Sequence, residues 1–120
     1  MPIGISASAI GFGSLLPGAT VGGDLSVYST VTNNGNTPTT FLQIAGTDWV
    51  GTYYSGSNTM PVGSTQWSVG SGWNVLTNNW VGTGANVNPG SPLTTYFELT
   101  APVNTPNDNY AQTITFNAGC

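Results

Sequence analysis

The sequence predicts an all-β sandwich built as one domain. Three observations carry that prediction. Short runs of alternating apolar and polar residues fill the chain, and Gly or Pro interrupts nearly every stretch of about ten residues, which is the strand-and-turn pattern rather than a helical one. Thr, Asn, Ser and Gln make up 45 of the 120 residues; Thr favours strands, and Asn with Gly favours turns. Hydrophobic residues at 38% and aromatics at 11% supply the core that a disordered chain lacks.

The elements follow in order. Ile3, Ile5, Ala7 and Ala9 alternate with Gly4, Ser6 and Ser8 in a clean period of two. The phase then slips, because Ile10 follows Ala9 directly and Phe12 continues the new phase. A one-residue slip moves side chains to the opposite face of a sheet. A bulge at Ala9 and Ile10, or two strands meeting there, satisfies the pattern. The chain therefore divides into an N-terminal strand, residues 1–9, and a sandwich domain, residues 10–120. Residues 24–32 form the next expected strand, with Leu25, Val27 and Val31 on one face. Asn33-Asn34-Gly35-Asn36-Thr37-Pro38 is a turn, since Asn-Gly tolerates positive φ. Phe41, Leu42 and Ile44 mark a third strand and residues 49–54 a fourth, followed by a Gly/Ser-rich loop over 55–64. Residues 66–69 and 73–76 read as short strands. Residues 77–92 read mostly as loop, broken by Trp80-Val81 and Val87. The closing strands are plainer: Leu93, Thr95, Phe97 and Leu99 alternate with Tyr96 and Glu98, and Tyr110, Ile114 and Phe116 alternate with Ala111, Thr113 and Thr115. Seven to eight strands at roughly ten-residue spacing fit a β-sandwich.

Charge excludes several functions. Lys, Arg and His are absent, and Asp24, Asp48, Glu98 and Asp108 give a formal charge of −4. Nucleic-acid binding and polybasic lipid attachment need cations that the chain lacks. Acid–base catalysis by His or Lys is excluded, as is a Lys–Asn isopeptide bond. No motif pairs two carboxylates as a glycosidase requires. Residues 104–109 offer calcium only Asp108 between two Asn, without EF-hand spacing, and capping of turns is the simpler role for Asp48 and Asp108. A non-catalytic protein without cofactors is the expectation. Low charge promotes association, so copies of the same chain are the expected partner. No apolar run approaches the ~18 residues of a membrane span.

An extracellular, cell-surface location is expected. Without Lys or Arg there is no trypsin-type cleavage site, and few ionisable groups make stability weakly pH-dependent. Neither a basic nor an apolar signal region follows Met1, so the numbering is expected to be that of a mature form. Cys120 is the single cysteine. It has no internal partner, which leaves an intermolecular disulfide or an inert terminal residue; with no nearby cation to lower its pKa it is no catalytic thiol.

Four segments carry a resemblance. Phe12-Gly13-Ser14-Leu15-Leu16-Pro17-Gly18 is similar to an F-G-x-L-x-P-G opening. Val31-Thr32-Asn33-Asn34-Gly35-Asn36-Thr37-Pro38 is similar to a V-x-N-x-G-N-x-P hairpin. Gly46-Thr47-Asp48-Trp49 and Tyr110-Ala111-Gln112-Thr113-Ile114-Thr115-Phe116 complete the set. Together they resemble immunoglobulin-like modules of microbial, especially archaeal, surface proteins. Those include subunits of archaeal threads and bundling pili and the biofilm fibre protein TasA. The resemblance implies an immunoglobulin-like or jelly-roll-type sandwich whose N-terminal strand is exchanged between subunits, by donor-strand complementation. The chain departs from these subunits in being shorter than most and in lacking any Asn-x-Ser/Thr sequon. A type IV pilin is excluded, since that assembly needs a long apolar N-terminal helix.

The expected function is an extracellular structural subunit that polymerises into a filament. Ile3, Ile5, Ala7 and Ala9 form the expected donor face, continued by Ile10 and Phe12. Val27, Ile44, Leu99 and Ile114 are the expected lining of the acceptor groove. Two alternatives stay open. One is a module of an S-layer or sheath, assembled laterally. The other is a carbohydrate-binding adhesion module that stacks sugars of surface glycans or other cells on Trp49, Tyr53, Tyr54, Trp67, Trp73 or Trp80, with Asn78 and Asn79 beside Trp80. The same aromatics serve equally as core, loop anchors or subunit interface.

Overall fold

A computed structural model describes residues 5–7, 17–23, 25–54, 58–70, 72–106 and 108–119. Ile3, Ala9, Ile10, Phe12, Asp24 and Cys120 lie outside the described residues. Within them the chain is all-β, with twelve strands: β1 (Ile5–Ala7), β2 (Thr20–Val21), β3 (Tyr28–Asn33), β4 (Phe41–Gly46), β5 (Trp49–Gly51), β6 (Thr59–Met60), β7 (Thr65–Ser68), β8 (Asn74–Val75), β9 (Val81–Gly82), β10 (Pro92–Thr100), β11 (Tyr110–Ala111) and β12 (Ile114–Gly119). A 3₁₀ turn, Val62–Ser64, precedes β7.

Alternation decides which residues go inside. On β10, Thr95, Phe97 and Leu99 are buried while Thr94, Tyr96 and Glu98 are half-buried. On β3, Ser29, Val31 and Asn33 are buried while Tyr28 is exposed. On β4, Leu42 and Ile44 point inward and Phe41 outward. Each buried Val, Leu, Ile or Phe contributes roughly 1.5–3 kcal/mol, so these strands supply most of the driving force.

The strands pair antiparallel into three sheets. The largest runs β1-β3-β10-β7-β8, with β2 on β10; the others run β12-β4-β9 and β11-β5-β6. Three apolar clusters join them face to face. Trp67 and Phe97 of the large sheet, with Val27 just before β3, pack with Ile44, Leu76, Ile114 and Phe116. Val31 and Leu93 pack with Leu42, Val87, Phe116 and Ala118. Leu99 packs with Trp49, Met60 and Tyr110 at the other end. This is the sandwich arrangement, one sheet covered by two smaller ones.

The two small sheets are one ribbon broken by a bulge. Ala111 pairs with Val50, but Ile114 pairs with Gly46. Gln112 and Thr113 therefore face three residues, Thr47, Asp48 and Trp49, and the extra residue bends the ribbon. A larger break lies opposite. Val21 pairs with Leu99 and Tyr28 with Tyr96, so residues 22–27 loop out against Phe97 and Glu98. Gly22 turns this loop with φ 95°, and a Cβ there would strike the Phe97 carbonyl. Leu25 sits at φ 68° and is 50% exposed. It does not share the inward face of Val27 and Val31: the strand expected over 24–32 begins only at Tyr28, and the positive φ turns Leu25 outward while Val27 stays buried.

Candidate assembly site

β1 is an edge strand whose strand partner among the described residues is β3 alone. Its register is Ile5 to Asn33, Ser6 to Thr32 and Ala7 to Val31. The two residues opposite Ile5 and Ala7 are fully buried, with Val31 and Asn33 both at 0% exposure. The described part of the expected donor face thus stands in register with the floor of the sandwich, on its own chain.

Across the sandwich from β3, the cluster of Val31, Leu42 and Val87 is covered by Leu93, Phe116 and Ala118, the last two on β12. No described strand pairs with the outer edge of β12. Its inward side chains Ile114, Phe116 and Ala118 are half-buried, whereas Leu42 and Ile44, on the neighbouring β4, are each 1% exposed. Of the expected acceptor residues, Val27, Ile44 and Ile114 come together in one cluster, while Leu99 belongs to the cluster at the far end.

Polar side chains fix this framework in three places. Asn33 Nδ2 donates to the Thr37 carbonyl at 2.8 Å and the Val87 carbonyl at 3.1 Å, and its Oδ1 accepts the Gly35 N–H at 2.9 Å. One buried amide thereby holds the turn after β3 and pins it to the segment before β10. Trp49 Nε1 donates to Thr65 Oγ1, and the Thr65 hydroxyl donates to Gln112 Oε1, both at 2.9 Å. Gln112 Nε2 donates in turn to the Thr47 carbonyl at 2.7 Å. This relay crosses from the bulged ribbon to β7.

Asp108 is the third fastening. Its carboxylate accepts N–H bonds from Tyr53, Tyr54 and Asn109 and from the Asn58 side chain. Burial alone would raise its pKa; the four donors outweigh that and hold it well below the usual carboxylate range. Asp48 caps the 3₁₀ turn by accepting the Val62 N–H at 2.9 Å. Both carboxylates are thus engaged by loops, and no three His, Cys, Asp or Glu gather as a metal set among the described residues. Tyr110 has its phenol pushed up by burial and then by the Asp108 charge.

Two limbs of pH dependence follow. The folded pKa of Asp108 lies below the ordinary 3.8, so its contribution is full above that pH. It is lost as pH falls through the folded value, because the unfolded chain takes up the proton first. Tyr110 is raised above 10.0, so its contribution is full below pH 10.0 and is lost as pH rises beyond it. Denaturant midpoints should therefore be flat between about pH 5 and 9 and fall on both sides. The acid fall should shrink in Asp108→Asn, and an unchanged acid limb in that variant would refute the assignment.

The aromatics separate into two groups. Trp49 and Trp67 are core residues, at 9% and 3% exposure. Tyr53, Tyr54, Trp73 and Trp80 are exposed, and the rings of Tyr53 and Tyr54 meet edge to face at 4.6 Å on the loop that Asp108 holds. Asn78 is used structurally, donating to the Gly46 carbonyl at 3.1 Å. Sequence reasoning missed the role of Asn33, which it read only as a turn residue, and the parts of Thr65 and Gln112 in the relay. Among the described residues no helix is long and apolar enough to cross a membrane. No protein-family model matches the chain, and no curated protein or solved structure matches it either.

Proposed function

We propose that this chain is a non-catalytic, extracellular structural subunit with an immunoglobulin-like sandwich, and that it polymerises by exchanging its N-terminal strand between copies. The observation that carries this reading is the placement of β1, a three-residue edge strand in register with two fully buried residues. An edge strand of that length holds to its sheet weakly, and its place can be taken by the same segment of another copy. The exchanged contacts equal those made within one chain, so exchange costs little beyond opening. A head-to-tail exchange does not close on itself and yields a filament. The incoming segment, residues 1–9 with Ile10 and Phe12 following, is longer than the three-residue β1.

Connectivity supports the immunoglobulin-like part. The order β1-β3-β10-β7 corresponds to the A-B-E-D sheet, and the pairing of β4 with β12 to strands C and F. Tyr110, at the start of the F-like ribbon, donates its hydroxyl to the Pro106 carbonyl at 2.6 Å, as a tyrosine corner does. On this reading the strand that would follow F has no counterpart among the described residues.

Light scattering on the purified chain tests the proposal. The expected result is scattering that grows with concentration and incubation, from polydisperse long particles. A discrete monomer, or a closed dimer that stays a dimer, would count against filament formation. The exposed Tyr53–Tyr54 pair favours a second reading, a glycan-binding module; that reading expects a discrete particle whose tyrosine emission responds to oligosaccharide.

A further inference from the structure

Asn34-Gly35 is the one Asn-Gly step in the chain. In such a step the glycine nitrogen attacks the Asn side-chain carbonyl carbon, because no Cβ obstructs the approach. The bond from Gly35 N to Asn34 Cγ forms, the Cγ–Nδ2 bond breaks, and ammonia leaves. Water then opens the cyclic imide to aspartate or isoaspartate, with no change of oxidation state. The nucleophile is the deprotonated amide, so anything that holds the Gly35 N–H slows the step.

That N–H is held. It donates to Asn33 Oδ1 at 2.9 Å. The acceptor is anchored, since Asn33 is 0% exposed and its Nδ2 is bonded to the Thr37 and Val87 carbonyls. Asn34 itself is exposed and Gly35 half-buried, so water reaches the site whenever the turn opens. We propose that Asn34 is a deamidation site gated by Asn33: the closed turn keeps it an amide, and opening of the turn converts it to a carboxylate. The conversion would carry the chain from −4 to −5, with no basic side chain to offset the added charge. The isoaspartate product would also lengthen the backbone next to β3.

The test incubates the full chain at mildly alkaline pH, folded and in denaturant, and follows the acquired charge by isoelectric focusing and its position by peptide mass spectrometry. Conversion at Asn34 should be fast in denaturant and slow in the folded chain. Equal rates in the two states, or conversion concentrated at another Asn, would overturn the proposal. Asn34→Gln should abolish the fast phase, because a larger ring must then close; persistence of that phase would count against the assignment. Two variants separate gating from general loosening. Asn33→Leu and Asn33→Ser both lose the Nδ2 bonds, but Ser keeps an oxygen that can accept the Gly35 N–H. The folded Leu variant should convert about fivefold faster than the Ser variant, the factor that one net hydrogen bond of about 1 kcal/mol supplies. Equal rates in the two would mean that Asn33 merely stabilises the turn. Should either variant fail to fold, the comparison of folded and denatured wild type decides.

Discussion

Asn33→Ala should lower stability by about 3–5 kcal/mol, a large share of the roughly 5–15 kcal/mol that a domain of this size possesses. The loss has two sources. The Thr37 carbonyl loses its side-chain donor, and the Val87 carbonyl is left with the Thr39 N–H as its donor; a lost hydrogen bond costs about 0.5–1.5 kcal/mol and a polar group left without a partner about 1–3 kcal/mol. The Gly35 N–H loses its acceptor as well. The melting temperature should fall by about 10–20 °C, read by circular dichroism. Asn33→Asp makes the point more sharply, because it changes no volume. It turns two donors into an acceptor aimed at two carbonyls, at a position with 0% exposure, and should cost at least as much as alanine. A loss below about 1 kcal/mol in Asn33→Asp would show that the amide network contributes little.

Removal of residues 1–9 should abolish polymerisation while leaving the far-ultraviolet spectrum that of a β protein. The three sheets apart from β1 do not depend on that segment, since β3 retains β10 as a neighbour and Val31 retains Leu42 and Val87. What is lost is the strand to be exchanged. A synthetic peptide of residues 1–12 added to the full-length chain should shorten the particles, by occupying β3 edges that would otherwise accept a subunit. A truncated chain that polymerised as well as the intact one would end the strand-exchange account.

The strands that were legible in the sequence are those with a long enough alternating run. Thr95-Tyr96-Phe97-Glu98-Leu99 reads as a half-buried strand and is one, because period-two burial needs only local information. The same holds for Leu42 and Ile44 on β4. The failures occur where long-range contacts override the pattern. By alternation Leu25 is the first inward residue of a strand, but the loop over 22–27 turns it outward at positive φ. The two-residue strands β2 and β6 exist because β10 and β5 offer them an edge, which no local run announces. Asn33 reads locally as turn chemistry. Its central role comes from the Val87 carbonyl, 54 residues away, and spacing alone carries no trace of it. The Trp residues also could not be sorted by sequence: Trp49 is sequestered by Met60 and Leu99, whereas Trp73 and Trp80 remain exposed.

Assembly through the N-terminal strand is tested most directly by negative-stain electron microscopy. The full chain and the chain lacking residues 1–9 would be purified at neutral pH and imaged at matched concentration. Uniform thin filaments from the full chain and single small particles from the truncated one are the predicted result. Small particles from both, or filaments from both, would contradict it.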